Sequence, residues 1–231
     1  MFRRTLLTAL LAANLLSLGA QEVSLFGVVG HNPTYGFHGG TALAARWAVS
    51  PAFEADGALQ VLTPGVYTLT ATARPVFPLP KGQLFLEGAL HGALFGRYGS
   101  LHYIGAVSAG WRGNYFCGQL GFYTRIMGSL DRSPQSTEEM ITEPFNLLYR
   151  FAFRLRPSDS RWNAGGGMTN VTRFQFDRAW QPVFFLNGQY GLTERLLLQA
   201  QVDFRPTGMF HMTAAWYGLA AYLGVTYRFG L

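Results

Sequence analysis

Arginine is the residue type in this sequence that most clearly indicates a particular chemistry. From Leu147 to Pro157 the chain reads LLYRFAFRLRP, which places Arg150, Arg154 and Arg156 between aromatic and aliphatic residues. A guanidinium group stays charged at neutral pH and presents several N–H donors in a fixed plane, so clustered arginines bind carboxylates and phosphates. Anion binding is therefore the first chemistry that the sequence indicates.

Hydrolysis by a serine, histidine and acid set is a second candidate chemistry. Glu87 and His91 are four residues apart, and Ser100, His102 and Ser108 follow closely in the chain. Four residues of extended strand span about 13 Å, which is too far for Glu87 to orient His91. The sequence also shows no nucleophile elbow and no zinc-ligand spacing. We therefore expect no enzyme, no cofactor and no metal site.

The elements that carry these residues are extended strands. Successive side chains of a strand point to opposite faces, so the run from Leu147 to Leu155 has one apolar face and one arginine face. The same period of two recurs after residue 20, for example over 41–49, 83–94 and 195–205. In these stretches the apolar face carries no Asp, Glu, Lys or Arg, while the opposite face carries nearly every strand charge.

The length of the alternating stretches decides which face is dry. They run for about 9 to 12 residues, which is enough to cross a bilayer at a tilt, whereas strands of soluble sheets usually have about 5 to 6 residues. In hydrocarbon only a closed barrel satisfies every strand backbone group. The sequence therefore predicts an all-β fold, a transmembrane antiparallel up-and-down β-barrel of about 12 strands, with 10 possible, whose polar face lines the lumen.

The N-terminus predicts export. Arg3 and Arg4 precede the apolar run from Leu6 to Leu18, and small residues follow it, which is the pattern of a secretory signal peptide. We expect residues 1–20 to be the signal peptide and residues 21–231 to form a single barrel domain. The formal net charge of the chain is +6, but its strand cations share the inner face, so we expect no nucleic-acid partner.

These features together resemble the bacterial outer-membrane β-barrel proteins, and small porins in particular. The resemblance covers the signal peptide, the alternation over the whole mature chain and the final strand AYLGVTYRF. Phe229 is followed by Gly230 and Leu231, whereas members of this family usually end on the aromatic residue. The resemblance implies the outer membrane of a Gram-negative-type bacterium, contact with outer-membrane lipid and assembly by the barrel-insertion machinery.

Aromatic residues of the apolar face cluster beside the tight turns, at the depth where rings favour the lipid headgroups. The predicted girdle consists of Trp47, Phe53, Trp111, Phe116, Phe153, Tyr227 and Phe229.

The inner face predicted from the alternation has many more cations than anions. Guanidinium groups on a lumen wall attract anions and focus the field, which predicts a channel for passive diffusion of small, anionic solutes. The pore-lining candidates are Arg46, Arg74, Arg125, Arg150, Arg154 and Arg205. The alternative is that these arginines are paired and hydrated and only keep the interior wet.

The connection over residues 128–144 is acidic. We predict that it folds toward the lumen and opposes Arg150 and Arg154, and the alternative is a solvated outer loop. Its acidic residues are Asp131, Glu138, Glu139 and Glu143.

Two other functions stay open at this point. One is a non-conducting structural or surface-interaction barrel that contributes to envelope integrity or binds a partner. The bulky residues predicted to point inward favour it, and they are Phe85, Tyr115, Tyr123, Leu148, Phe185 and Tyr222. The other is a barrel hydrolase, which the spacing argument above disfavours.

Overall fold

The fold is known from a computed structural model that describes residues 21–32, 36–63, 65–96, 99–129, 140–157, 160–207 and 215–229. The predicted signal peptide, residues 1–20, lies outside this part of the chain. No helix among the described residues is long and apolar enough to span a membrane.

Twelve antiparallel strands form a closed barrel in which each strand pairs with its neighbours in sequence and β1 pairs with β12. The strands are β1 Glu22–Asn32, β2 Gly36–Ser50, β3 Phe53–Leu62, β4 Val66–Leu79, β5 Gly82–Phe95, β6 Ser100–Arg112, β7 Phe116–Ser129, β8 Ile141–Arg154, β9 Trp162–Thr169, β10 Val183–Gly191, β11 Leu196–Thr207 and β12 Ala215–Arg228. The predicted all-β barrel of about 12 strands is confirmed.

Side-chain burial follows the alternation that the sequence shows. Along β4, Val66, Thr68 and Thr70 are buried inside the barrel, whereas Tyr67 and Leu69 are exposed on its outer face. The outer face of the other strands is also apolar and exposed, as lipid contact requires.

The two ends of the barrel differ in their connections. Glu22 pairs with Arg228, so the start of β1 and the end of β12 lie at one end of the barrel, which we call the terminal end. There the strands are joined by residues 51–52, 80–81, 113–115, 155–161 and 192–195. The opposite end, which we call the loop end, carries the connections 130–140, 170–182 and 208–214.

The connection between β4 and β5 is very short. Proline is rare within strands, but β4 continues through Pro75 to Leu79. Proline removes one ladder donor, yet the pairing with β5 resumes at Val76 opposite Phe85. Only Pro80 and Lys81 are left to form the turn.

β9 is the shortest of the twelve strands, and two of its glycines lie close to the backbone of β8. A Cβ atom on Gly165 would lie 2.2 Å from the carbonyl oxygen of Phe153, and one on Gly167 would lie 2.1 Å from that of Phe151. The pairing ends where Thr169 meets Arg150, so residues 141–149 of β8 have no partner strand on this side among the described residues.

The side chain of Asn170 continues the ladder beyond β9. The backbone N–H of Tyr149 donates to Asn170 Oδ1 at 2.9 Å, and Asn170 Nδ2 donates to the carbonyl oxygen of Leu147 at 2.7 Å. A side-chain amide thus takes the place of a peptide group, and the main chain is free to leave the barrel wall.

Candidate functional site

The connection between β9 and β10, residues 170–182, turns into the lumen, and we call it the inward segment. It forms a small hairpin in which Val171 bridges Phe176. The N–H of Asp177 donates to the carbonyl oxygen of Asn170 at 2.7 Å, and the N–H of Thr172 donates to that of Gln175 at 2.8 Å. The tip of the hairpin therefore carries Arg173 and Phe174.

Phe174 anchors the inward segment to one wall of the barrel. It is buried, and its ring stacks on Tyr222 of β12 with 5.8 Å between centroids. Around the pair lies an apolar cluster from β1 to β4 and β12, which comprises Phe26, Val28, Ala42, Ala44, Ala58, Leu62, Val66 and Ala220.

Phe176 anchors the segment to the opposite wall. Its ring centroid lies 5.0 Å from that of His91 on β5 and 5.6 Å from that of Tyr123 on β7. The rest of its contact surface comes from β5, β6 and β8, through Ala89, Ile104, Ala106 and Leu148. Because the two phenylalanines are two residues apart and bind different walls, the segment crosses the lumen.

A buried ion pair fixes the segment to a third part of the wall. Arg205 on β11 donates from Nε to Asp177 Oδ2 at 3.2 Å and from a terminal nitrogen to Gln175 Oε1 at 3.1 Å. Both Asp177 and Arg205 are buried. Removing one partner of such a pair leaves an uncompensated charge, so the pair favours a single docked position.

Wall side chains also satisfy carbonyl groups of the segment. Arg125 donates to the carbonyl oxygen of Phe176 at 2.6 Å, Tyr123 to that of Asp177 at 2.8 Å and Tyr149 to that of Ala179 at 3.0 Å. Irregular backbone inside a membrane barrel needs such partners, because a buried carbonyl without one costs free energy.

The lumen wall of β2 to β6 carries a charge-compensated network. Glu54 accepts from Arg46 at 2.6 Å and from Arg74 at 2.9 Å, and it lies 3.4 Å from Arg112. Arg74 also pairs with Asp56 at 3.2 Å and with Glu87. Three arginines and three carboxylates thus neutralise each other on this side.

On the side of the lumen formed by β8 and the segment tip, the arginine charges are not neutralised by carboxylates. Arg150, Arg154 and Arg173 have no carboxylate within ion-pair distance among the residues that the structure describes. Arg150 lies over the ring of Phe185, with its guanidinium carbon 5.5 Å from the ring centroid. The net positive charge of the lumen is therefore concentrated on these three residues.

The side chain of Arg173 is exposed to water, but it lies inside the lumen between the barrel walls. Its removal from bulk water by these walls is the main cause that lowers the pKa of its guanidinium, and Asp56 opposes the effect. The positive charges of Arg150, Arg46 and Arg74 lower the pKa further. An arginine keeps its proton against such shifts, so the side chain adds a cation to the lumen.

Two cavities on the terminal side of the inward segment meet at these cations. Their volumes are about 360 Å³ and about 260 Å³. Both are lined by Arg46, Arg150, Arg154 and Arg173, with Thr172 and Asn187 as neutral donors. A further cavity of about 390 Å³ lies on the loop side and is lined by His91, His102, Phe174 and Phe176, among others. The segment therefore separates two halves of the lumen.

The six predicted pore-lining arginines all lie on the inner face, but in different surroundings. Arg46 and Arg74 belong to the compensated network, while Arg150 and Arg154 line the cavities without a carboxylate partner. The remaining two, Arg125 and Arg205, hold the inward segment.

The predicted constriction loop falls largely outside the described residues, which include neither Asp131 nor Glu138 nor Glu139. Glu143 lies on β8, where it pairs with Arg178 and lies 3.5 Å from Arg125. Its partners are thus not Arg150 and Arg154, with which an inward acidic loop was expected to pair.

The predicted girdle residues lie at the terminal end. Phe116 and Phe153 are cross-strand neighbours, and both are exposed, as are Phe53 and Tyr227. The rings of Trp111 and Phe116 lie 6.2 Å apart, and those of Tyr227 and Phe229 lie 4.7 Å apart. Trp47 is half-buried on β2.

The residues of the hydrolase hypothesis do not form one site in the described structure. Ser100 Oγ lies 3.0 Å from His102 Nε2, but His91 Nδ1 is bonded to Thr70 at 2.8 Å. Glu87 accepts from Arg74 and Gln119 instead of orienting a histidine. The described residues also contain no group of three or more His, Cys, Asp or Glu side chains that could hold a metal ion.

The sequence reasoning missed the inward segment and its charged residues, Arg173, Asp177 and Arg178. The signal that could have identified the segment is the pair Phe174 and Phe176, because two phenylalanines in a polar connection need an apolar surface to cover them.

A closed, tilted barrel with an apolar outer face and a charged lumen is the architecture of the bacterial outer-membrane β-barrels. No protein-family description matches the chain, and no curated protein sequence matches it. Among solved structures, the KdgM porin in complex with disordered oligogalacturonate is similar with a TM-score of 0.56 at 7% identity, over 90% of this chain and 99% of that one.

A second KdgM porin structure gives a TM-score of 0.54 at 8% identity, over 90% and 99% of the two chains. The translocator domain of the autotransporter NalP from Neisseria meningitidis gives 0.53 at 11% identity, over 96% of both. At these identities the similarity is one of fold. The chain thus has the fold of the outer-membrane barrels.

Proposed function

We propose that this protein is an outer-membrane porin-like channel that admits small anionic solutes. The observation that carries the proposal is the uncompensated cluster of Arg150, Arg154 and Arg173 around two lumen cavities. Fixed guanidinium charges between low-dielectric walls raise the local anion concentration and lower the barrier for anions relative to cations.

The division of charge within the lumen supports anion preference. The arginines of β2 to β6 are neutralised by Glu54, Asp56 and Glu87, so they contribute little net field. The arginines of β8 and the segment tip contribute the excess. The presence of oligogalacturonate in a KdgM porin structure is consistent with an anionic permeant for a barrel of this fold.

The same proposal predicts where the barrel lies and how it is exported and assembled. Its apolar outer face contacts outer-membrane lipid, and the predicted aromatic girdle marks one headgroup layer. Residues 1–20 direct export and are removed, after which the barrel-insertion machinery assembles the chain. N-terminal sequencing of the membrane-inserted protein tests the cleavage, since it should begin near residue 21.

Ion selectivity in planar bilayers tests the channel proposal. Under a potassium chloride gradient we expect the reversal potential of an anion-selective pore, and we expect it to move toward zero in the double variant Arg150→Ser, Arg154→Ser. The matched control is Arg156→Ser, Arg161→Ser, which removes two arginines of the β8–β9 turn that line neither cavity. Cation selectivity, or equal reversal potentials in all three proteins, would refute the proposal.

A plugged, non-conducting barrel that serves a structural or surface-binding role is the second candidate. It is favoured by the bulky buried residues inside the lumen, Phe85, Tyr123, Leu148, Phe185 and Tyr222, and by the inward segment that crosses it. Tyr115, also expected to point inward, is exposed in the turn 113–115. A folded barrel that stays silent even when the segment is released would favour this candidate.

A further inference from the structure

Four guanidinium groups converge where the two terminal-side cavities meet. Arg46 comes from β2, Arg150 and Arg154 come from β8, and Arg173 comes from the tip of the inward segment. Among these four arginines, only Arg46 has a carboxylate partner in the described structure, and this partner is Glu54. The site is thus built from two walls of the barrel and from a chain segment that is held between them.

The position of Arg173 is electrostatically unfavourable without a counter-ion. Its main negative neighbour is Asp56, and that carboxylate is already 3.2 Å from Arg74. Arg150, Arg46 and Arg74 act on Arg173 with the same sign of charge. Docking therefore depends on contacts elsewhere in the segment, at Phe174, Phe176 and Asp177, and it works against repulsion at the tip.

We propose that the four arginines form a binding site for a compact multivalent anion, of the phosphate or polycarboxylate type, which bridges Arg173 to the wall and stabilises the docked inward segment. This inference rests on the proposed anion channel and adds a specific ligand class and a conformational consequence to it. A permeant of this class is then also the ligand that closes the lumen.

The chemistry requires more than one negative charge. A guanidinium group matches two oxygen atoms of a phosphate or carboxylate, so an anion with several oxygens can contact arginines on both sides at once. Chloride offers one charge and no such geometry. The cavities of about 360 Å³ and 260 Å³ leave room for the anion with its remaining water, since one water occupies about 30 Å³.

The conformational consequence follows from linkage. A ligand that binds only the docked state stabilises that state by an amount that grows with the logarithm of the ligand concentration once this concentration exceeds the dissociation constant. Release of the segment separates Arg173 from Arg150 and Arg154, so it destroys the site. Multivalent anions should therefore make the lumen more closed, whereas chloride should leave the segment unaffected.

Thermal unfolding of the folded barrel in phospholipid-free detergent tests the site. Inorganic phosphate is titrated against chloride at constant ionic strength, with tryptophan fluorescence as the readout. We expect the unfolding temperature to rise with the logarithm of the phosphate concentration above the dissociation constant, by about 2 to 4 °C at roughly five times that constant. Because no phospholipid is present, a headgroup phosphate cannot be the source of the effect.

Two variants distinguish a bridging site from general screening. Arg173→Gln should abolish the phosphate effect, while the matched control Arg161→Gln should keep it, since Arg161 binds the carbonyl oxygen of Gly191 at the barrel rim. The double variant Phe174→Ala, Phe176→Ala keeps Arg173 but releases the segment, so it should also lose the effect. A rise that persists in Arg173→Gln, or its absence in the unmodified protein, would overturn the inference.

Failure of this inference and failure of the channel proposal can be told apart. A barrel that is silent in bilayers but is stabilised by phosphate through Arg173 would support the binding site and refute the channel function. An anion-selective channel that shows no phosphate stabilisation would support the channel function and refute the binding site. In a conducting barrel, millimolar phosphate should in addition lengthen the closed periods of single channels, and Arg173→Gln should remove this effect.

Discussion

The docking of the inward segment limits how far the lumen is open, and its two phenylalanines provide the sharpest test. Phe174 is 7% exposed and Phe176 is 6% exposed. Burial of one such side chain contributes about 1.5 to 3 kcal/mol, so replacing both by alanine should weaken docking by about 3 to 6 kcal/mol. Since about 1.4 kcal/mol is a factor of ten, the ratio of docked to released segment falls roughly 10²- to 10⁴-fold.

The barrel wall should survive the double change. Its strands are held by a closed ladder in which the segment takes no part except next to β8. We therefore expect a folded barrel with higher single-channel conductance. We also expect faster hydrogen exchange at the backbone amides of Thr172 and Asp177, which in the docked hairpin are bonded to Gln175 and Asn170.

The control is Phe145→Ala, which removes an equal ring from the outer face, where Phe145 is 77% exposed. It should change neither conductance nor exchange in the segment. Phe174→Leu provides a milder version of the test, with an intermediate increase in exchange. Unchanged conductance together with unchanged exchange in a folded Phe174→Ala, Phe176→Ala barrel would refute the docking argument.

Two further predictions concern the wall. Gly167→Ala should destabilise the barrel by about 1 to 3 kcal/mol in a urea titration, because its Cβ would lie 2.1 Å from the carbonyl oxygen of Phe151. The control Gly88→Ala should be neutral, because there is open space around Gly88. Val202→Arg should make the free energy of folding into lipid vesicles less favourable by about 2 to 4 kcal/mol, because this exposed side chain points outward near the middle of β11. The neighbouring Gln201→Arg points into the lumen and should fold normally, and equal losses at both positions would contradict the assigned faces.

The strand architecture could be predicted because it depends on the alternation of apolar and polar residues that are close in sequence. A period of two, a charge-free apolar face and stretches longer than those of soluble sheets together require a closed barrel in a membrane. Pro75 shows the limit of local signals. Proline usually ends a strand, but Pro75 still pairs with Phe53 of β3 and the pairing with β5 resumes at Val76, so the ladder continues past it.

The inward segment could not be predicted in the same way. Its position depends on residues that are distant in sequence, such as Arg205 for Asp177 and Tyr222 for Phe174. Most of the acidic connection 128–144 lies outside the described residues. Among the described residues, the structure places a segment with its own arginine in the lumen, because aromatic burial and a buried ion pair outweigh the repulsion at the tip.

The side chain of Asn170 has a consequence for how such barrels can vary. It replaces one peptide group at the edge of β8, giving an acceptor to Tyr149 and a donor to Leu147. One amide side chain is thus enough to let the main chain leave the cylinder without exposing unpaired backbone to lipid. Strand number and lumen occlusion are therefore separable properties, and a barrel of fixed girth can gain or lose an internal obstruction through changes confined to a single connection.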